Sequence, residues 1–131
     1  DDKTMIIMDK QTINFHKEFK MAAIPYSSQA GGFFSKLSST NHSVKQAALQ
    51  SSYASSANLT LFPVIKTLAE KYKIPISHIV LGYLLSQPIT VIPVFSSSSI
   101  EQLNDTILAT ETKLSEDDIK QIDSLNDLSA V

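Results

Sequence analysis

The 131-residue sequence contains no cysteine, no arginine and no tryptophan. Without cysteine the chain can form neither a disulfide nor a thiolate centre, and we expect a reducing compartment, the cytoplasm. Without arginine, no side chain can hold a phosphate through two parallel hydrogen bonds. Eleven basic and thirteen acidic residues give a net charge of −2, so composition offers no electrostatic reason to predict nucleic-acid or anionic-membrane binding. No apolar run approaches the roughly 18 residues of a membrane span.

Several patterns that would indicate catalysis or metal binding are also missing. The histidines His16, His42 and His78 are far apart and lack the spacing of metal ligands. No serine lies in the G-x-S-x-G pattern of a hydrolase elbow. The pair Gly31-Gly32 is too little for a Rossmann dinucleotide fingerprint. We therefore predict no metal site, and neither a hydrolase nor a Rossmann dinucleotide fold has support in the sequence.

The length predicts a single unit over residues 1–131, with a short tail at 126–131. The first residues, Asp1-Asp2-Lys3, are neither a start methionine nor a signal peptide. We therefore expect the chain to be cut from a longer polypeptide.

The most informative stretch is residues 90–105, where a β-rich run at 90–95 meets four serines and then an apolar helical pattern. Ser98 and Glu101 have the three-residue spacing of a capping box. A helix that begins directly after a strand presents unpaired N–H groups and a positive partial charge. This arrangement suits an anion such as a phosphate.

Periodicity predicts two strands and a series of helices elsewhere. The strands lie at 21–26 and 90–95, and both are apolar without alternation, as in a parallel sheet covered on both faces. The predicted helices are 10–19 (capped by Asp9), 44–50 (capped by Ser43), 61–73, 76–86, 99–109 and 116–125 (capped by Ser115). The order indicates an α/β fold, and because two strands cannot make a stable parallel sheet, the pattern indicates part of a barrel.

Two residues constrain the helices. Pro63 would cost roughly 3 kcal/mol inside a helix, so we place a helix start at Leu61 with Thr60 as its cap; a start near Ser56 with a kink is the alternative. Gly82 lies in the middle of a predicted helix, where it costs about 1 kcal/mol relative to alanine. We expect close packing against a neighbouring strand to require it.

Three stretches, in this order, resemble the C-terminal part of an aldo-keto reductase. They are 23–34 (AIPYSSQAGGFF), 68–88 (LAEKY, then IVLGYLLSQP) and 91–115 (VIP, EQLND, then LS). The resemblance runs from about residue 4 to 125. It implies a partial (β/α)8 TIM barrel, an α/β fold, in which this chain supplies strands seven and eight and mostly helices.

The resemblance also implies a cofactor site and assigns its residues. Tyr26 would stack on a nicotinamide ring, and Ser27 and Gln29 would lie against the pyrophosphate. Ser96, Ser97, Ser98 and Ser99 would approach the adenosine phosphate, while Gln102 and Asp105 would sit near the adenine and its ribose. The family's catalytic Asp, Tyr, Lys and His belong to the N-terminal half of the barrel, so we expect this chain alone to be inactive.

The implied activity is reduction of an aldehyde or ketone by hydride transfer from NADPH. This chain has Ser96 where many members have glycine, and Ser98 where they have a basic residue. Because a 2′-phosphate normally requires a basic partner, NADH is the alternative, although Lys36 could reach in from its loop.

A second hypothesis is a non-catalytic, mostly helical interaction module. Strands 21–26 and 90–95, if isolated, would expose unpaired edges and apolar faces to a partner. Because of these exposed edges and faces, we expect the isolated chain to self-associate or to swap strands.

Overall fold

The computed structural model describes residues 8–126, and these residues are mainly helical. The helices are α1 (Lys10–Glu18), α2 (Phe33–Leu37), α3 (His42–Leu49), α4 (Ser56–Tyr72), α5 (Ile76–Leu85), α6 (Ile100–Ala109) and α7 (Glu116–Leu125), with a 3-10 turn at Ala30–Gly32. The lead-in at 1–7 and the predicted tail beyond Asn126 lie outside the described residues. No helix within 8–126 has both the length and the apolar character needed to cross a membrane.

Local capping explains most of the helix starts. The Asp9 side chain accepts a hydrogen bond from the Thr12 amide at 2.8 Å, and the Ser115 hydroxyl accepts one from the Asp118 amide at 3.3 Å. Both predicted caps are therefore confirmed. α3 begins earlier than predicted because Asn41, not Ser43, accepts the first amides.

α4 begins at Ser56 and continues through Pro63, so the predicted start at Leu61 is wrong. The Ser55 hydroxyl caps the first turn by accepting from the Asn58 amide at 3.2 Å. Leu61, which precedes the proline, is 6% exposed. Burial of Leu61 and capping of the first turn therefore outweigh the backbone hydrogen bond that proline cannot make.

The core lies where α4 packs against α5 and α7, with α2 and α3 beside them. Ile79 of α5 and Ile122 of α7 are fully buried at its centre. Gly82 is required by close packing, as expected, but the neighbour is Thr112 in the loop before α7 and not a strand. A Cβ at Gly82 would lie 2.7 Å from the Thr112 Cγ2.

The fold-class prediction of a partial TIM barrel with strands seven and eight is wrong for the described residues. Residues 8–126 contain no strand and no sheet, and the two predicted strands meet at one isolated parallel bridge, Ala23 to Val91. The expected burial on both faces is also wrong, since Ile24 is 64% exposed and Ile92 is 51% exposed. A parallel sheet is normally covered on both faces and contains more than two strands, and here each segment has only the other as a partner.

The two segments nevertheless run side by side in one register. The Ala23 amide donates to the Thr90 carbonyl at 2.8 Å, and the Ile92 amide donates to the Ala23 carbonyl at 2.9 Å. The Val94 amide then donates to the Pro25 carbonyl at 3.1 Å. This pairing brings the ends of the two segments, and the turns that follow them, to the same place.

Candidate functional site

An open cavity of about 900 Å³ lies where the two paired segments end. Its lining includes every predicted site residue except Ser99: Tyr26, Ser27, Gln29, Ser96, Ser97, Ser98, Gln102 and Asp105. The other lining residues that matter below are Ser28, Gly31, Lys36 and Ser77. Residues far apart in sequence therefore meet at one site.

The first wall of the cavity is the turn at residues 26–32. The Ala30 amide donates to the Ser27 carbonyl and the Gly32 amide to the Gln29 carbonyl, both at 2.8 Å. Gly31 and Gly32 have φ angles of 61° and 76°, a left-handed conformation that glycine adopts without a Cβ penalty. The two glycines thus close the turn tightly and keep its backbone accessible.

The second wall consists of residues 96–99 and the start of α6. The Ser99 hydroxyl caps α6 by accepting from the Gln102 amide at 3.2 Å. Gln102 Oε1 in turn accepts from the Ser98 amide at 2.9 Å and from the Ser98 hydroxyl at 2.8 Å. The predicted capping box of Ser98 and Glu101 is therefore wrong by one residue, and Ser99 serves the helix and not the cavity.

Ser28 joins the two walls. Its hydroxyl lies 3.0 Å from the Pro25 carbonyl oxygen and 2.6 Å from the Val94 carbonyl oxygen. The side chain is buried, with 9% of the residue exposed. A single hydroxyl proton shared between these carbonyls fixes the spacing of the walls. No role was assigned to Ser28 from the sequence, because a contact between residues this far apart leaves no local signal.

Two opposite charges line the cavity. The Lys36 ammonium donates to the Gly31 carbonyl at 2.8 Å, which places the cation beside the first wall. The Asp105 carboxylate lies on α6, where its Oδ1 is 2.9 Å from His78 Nε2 and its Oδ2 accepts from the Ser77 hydroxyl at 3.2 Å. The contacts of Asp105 with α5 had no signal in the sequence, because they arise only when α5 packs on α6.

Two exposed aromatic side chains line the cavity: Tyr26, which is 64% exposed, and Phe95, which is 39% exposed. An open ring face, several hydroxyls and amides, one ammonium and one carboxylate can bind a ligand that combines flat rings with anionic and hydroxyl groups. Within residues 8–126, no three histidine or acidic side chains come together as a metal site.

Comparison with known proteins identifies the family. The model of the aldo/keto reductase family matches residues 5–127. The chain is also similar to a probable aldo-keto reductase 1 from Glycine max, with 26% identity over 120 residues that cover 88% of this chain and 35% of that protein. It thus spans about a third of the length of this curated relative. The match over nearly the whole sequence shows that the chain belongs to the aldo/keto reductase family.

Proposed function

We propose that this chain is the cofactor-binding part of an oxidoreductase that reduces aldehydes or ketones with a nicotinamide dinucleotide. The observation that carries this proposal is the cavity that gathers Tyr26, the 26–32 turn and residues 96–98 at the ends of the two paired segments. Its volume lies within the range of about 300–1,000 Å³ that is usual for ligand and cofactor sites. Family membership supplies the reaction class.

The lining residues fit such a cofactor in chemistry as well as in size. Tyr26 offers an exposed ring face on which a flat nicotinamide can stack. Ser27, Gln29 and Lys36 can donate hydrogen bonds to a pyrophosphate from the first wall. The serines of the second wall can donate to a further phosphate or to sugar oxygens, and Gln102 and Asp105 lie near them on α6. The resemblance implies NADPH as the hydride donor, with NADH as the alternative.

When bound, the nicotinamide supplies a hydride to the carbonyl carbon of the substrate. The residues of this chain bind and orient the dinucleotide; none of them is assigned the proton transfer to the carbonyl oxygen. We therefore expect the 131-residue chain alone to reduce no carbonyl compound.

The test is a titration of NADH and NADPH into the longest polypeptide that contains this chain. Nucleotide fluorescence and calorimetry measure the dissociation constants. The Tyr26→Ala variant should bind at least one of the two nucleotides several-fold more weakly. Phe19→Ala is a matched control, because Phe19 is similarly exposed at 57% but does not line the cavity. A polypeptide that neither binds nor oxidises either nucleotide would contradict the proposal.

The second candidate function is an interaction module. It is favoured by the apolar side chains that the paired segments leave exposed, notably Met21, Ile24, Ile92 and Val94. A partner that covers this surface would bury area that the described helices leave open. A chain that remains monomeric at high concentration and binds nicotinamide nucleotides would favour the first candidate.

A further inference from the structure

Asp105 is the only acidic residue in the lining of the cavity formed by the described residues, and it is held in a fixed orientation. Each of its oxygens has one partner: Oδ1 lies 2.9 Å from His78 Nε2 and Oδ2 accepts from the Ser77 hydroxyl at 3.2 Å. An ionised carboxylate is an acceptor only, with about four lone-pair positions. Asp105 can therefore accept further hydrogen bonds, and its side chain is 44% exposed, which makes it accessible to a ligand.

The residue behind Asp105 is well anchored. His78 belongs to the first turn of α5, and its side chain is only 10% exposed. Because the carboxylate can only accept, the contact requires that Nε2 of His78 carry a hydrogen. Ser77 and His78 thus approach the carboxylate from α5, while Asp105 lines the cavity with 44% of its side chain exposed.

The cavity lining contains little positive charge. Among the described lining residues Lys36 is the only lysine, and its ammonium is already hydrogen-bonded to the Gly31 carbonyl of the first wall. Arginine is absent from the whole sequence. Residues 96–98 of the second wall offer hydroxyls and amides but no cation. The charged groups of the described lining are therefore Asp105 and Lys36, and the side chains that contact Asp105 directly are those of Ser77 and His78.

From this distribution of charge we infer that the site selects a nucleotide whose adenosine ribose has free hydroxyls, so that NADH is bound in preference to NADPH. This inference rests on the proposed function. Asp105 accepts hydrogen bonds from the ribose hydroxyls, as a carboxylate does in other dinucleotide sites, and Ser77 and His78 are positioning residues for it. A 2′-phosphate would place its negative charge beside Asp105, where the lining has no guanidinium to offset it.

The experiment compares dissociation constants for NADH and NADPH in the longest polypeptide that contains this chain. We expect the dissociation constant for NADH to be roughly tenfold lower than that for NADPH, a difference of about 1.4 kcal/mol in binding free energy. Asp105→Asn keeps the size of the side chain but removes its charge, and it should strengthen NADPH binding and bring the ratio towards one. Glu101→Gln is the matched control, since it removes a charge from the same helix at an exposed position outside the lining.

A second variant tests the positioning role. His78→Gln retains an amide donor in place of the ring, and it should reduce the NADH preference less than Asp105→Asn does. Circular dichroism of each variant separates a change in preference from a loss of folding.

The outcomes distinguish this inference from the proposed function. NADPH binding equal to or tighter than NADH binding in the unmodified protein would overturn the preference while the nucleotide site stands. An unchanged ratio in Asp105→Asn would overturn the role of Asp105. Binding of neither nucleotide would overturn both the preference and the proposed function.

Discussion

The helical core and the paired segments differ in how completely they bury and bond their groups. In the core, Ile79 and Ile122 are fully buried, and the polar groups between α4 and α7 have partners. In the paired segments, Ile24 and Ile92 are more than half exposed, and one bridge replaces a sheet. A helix satisfies its own backbone, whereas an extended segment depends on neighbours. The helical core therefore buries its apolar side chains among its own helices, whereas the paired segments leave theirs exposed.

A cluster around Asp118 shows how closely the core is bonded. The Asp118 carboxylate accepts from the Lys71 ammonium at 2.8 Å, the Tyr72 hydroxyl at 2.6 Å and the Ser115 hydroxyl at 2.7 Å. The Tyr72 hydroxyl also accepts from the Ser115 amide at 2.9 Å. These hydrogen bonds hold the pKa of Asp118 at about 2, below its ordinary value of 3.8. α4 and the start of α7 are thereby joined through one carboxylate.

The largest expected difference between the helical core and the paired segments is self-association, which should occur through the exposed paired segments. We expect the isolated 131-residue chain to form dimers or larger species, because unpaired edges and exposed apolar faces promote association. Ile24→Lys should shift the population towards monomer, measured by size exclusion with light scattering. Leu49→Lys, at an exposed site on α3, should leave the distribution unchanged. A monodisperse monomer of the unmodified chain would end this expectation.

Within the core, Asp118→Asn should give the largest loss of stability, about 2–3 kcal/mol, because a buried acceptor of several hydrogen bonds loses its charge. Urea denaturation of the variant measures the loss. Asp117→Asn is the matched control: it removes the same charge from the same helical turn, but Asp117 is exposed. Equal effects of the two substitutions would show that the cluster contributes nothing beyond the helix dipole.

The same residue predicts a pH dependence. Because the folded pKa of Asp118, about 2, is below the unfolded value, its contribution is complete above about pH 5 and is lost as pH falls towards 2. The shift corresponds to about 2 kcal/mol. The difference in unfolding free energy between the unmodified chain and Asp118→Asn should therefore narrow over this range, while the difference for Asp117→Asn should change less.

Gly82→Ala should destabilise the chain by about 1–2 kcal/mol, because overpacking against Thr112 exceeds the gain in helix propensity. Thermal and urea denaturation measure this effect. Thr112→Ser removes the methyl group that lies 2.7 Å from the added Cβ, and it should restore most of the loss in the double variant. If the double variant is no more stable than Gly82→Ala, the loss of stability arises from contacts other than the one with the Thr112 methyl group.

Tyr83→Phe should have the smallest effect, about 0.5–1 kcal/mol, since it removes one partly exposed hydrogen bond. The Tyr83 hydroxyl donates to Asp123 at 2.6 Å and connects α5 to α7. Burial of the Tyr83 hydroxyl is the main cause that raises its pKa above the ordinary value of 10, and the hydrogen bond to the negatively charged Asp123 raises the pKa further. The unmodified chain should therefore lose stability as pH rises beyond 10, and the phenylalanine variant should lose less.

Sequence reasoning succeeded where the signal is local. The start of α1 after Asp9 and the start of α7 after Ser115 were predicted correctly, because a capping side chain and the amide it serves are three positions apart. It failed where the outcome depends on distant packing. The two apolar runs were read as buried strands, but burial depends on neighbours that residues 8–126 do not supply. α2 was missed, since its Phe33 and Phe34 follow a glycine turn and are held by the core.

The candidate site likewise contains features that local sequence predicted and features that it did not. A small-residue turn after one apolar run and a serine-rich turn after another predicted residues that the structure does bring into one cavity. The contacts of Ser77 and His78 with Asp105 were missed, because the spacing of residues within each helix does not show how α5 and α6 pack on each other. Their positions in sequence are ordinary, and only the packing of the two helices gives them a role.

The shared proton of Ser28 has a consequence for how a ligand would be detected. It connects the Ser28 side chain to the Val94 backbone, 66 residues away, so the intervening chain is closed into one long loop whose ends meet at the cavity. A molecule that contacts both walls would act as a second clip across this loop and oppose the entropy that opens it. Occupancy of the cavity should therefore raise the melting temperature of helices that never touch the ligand.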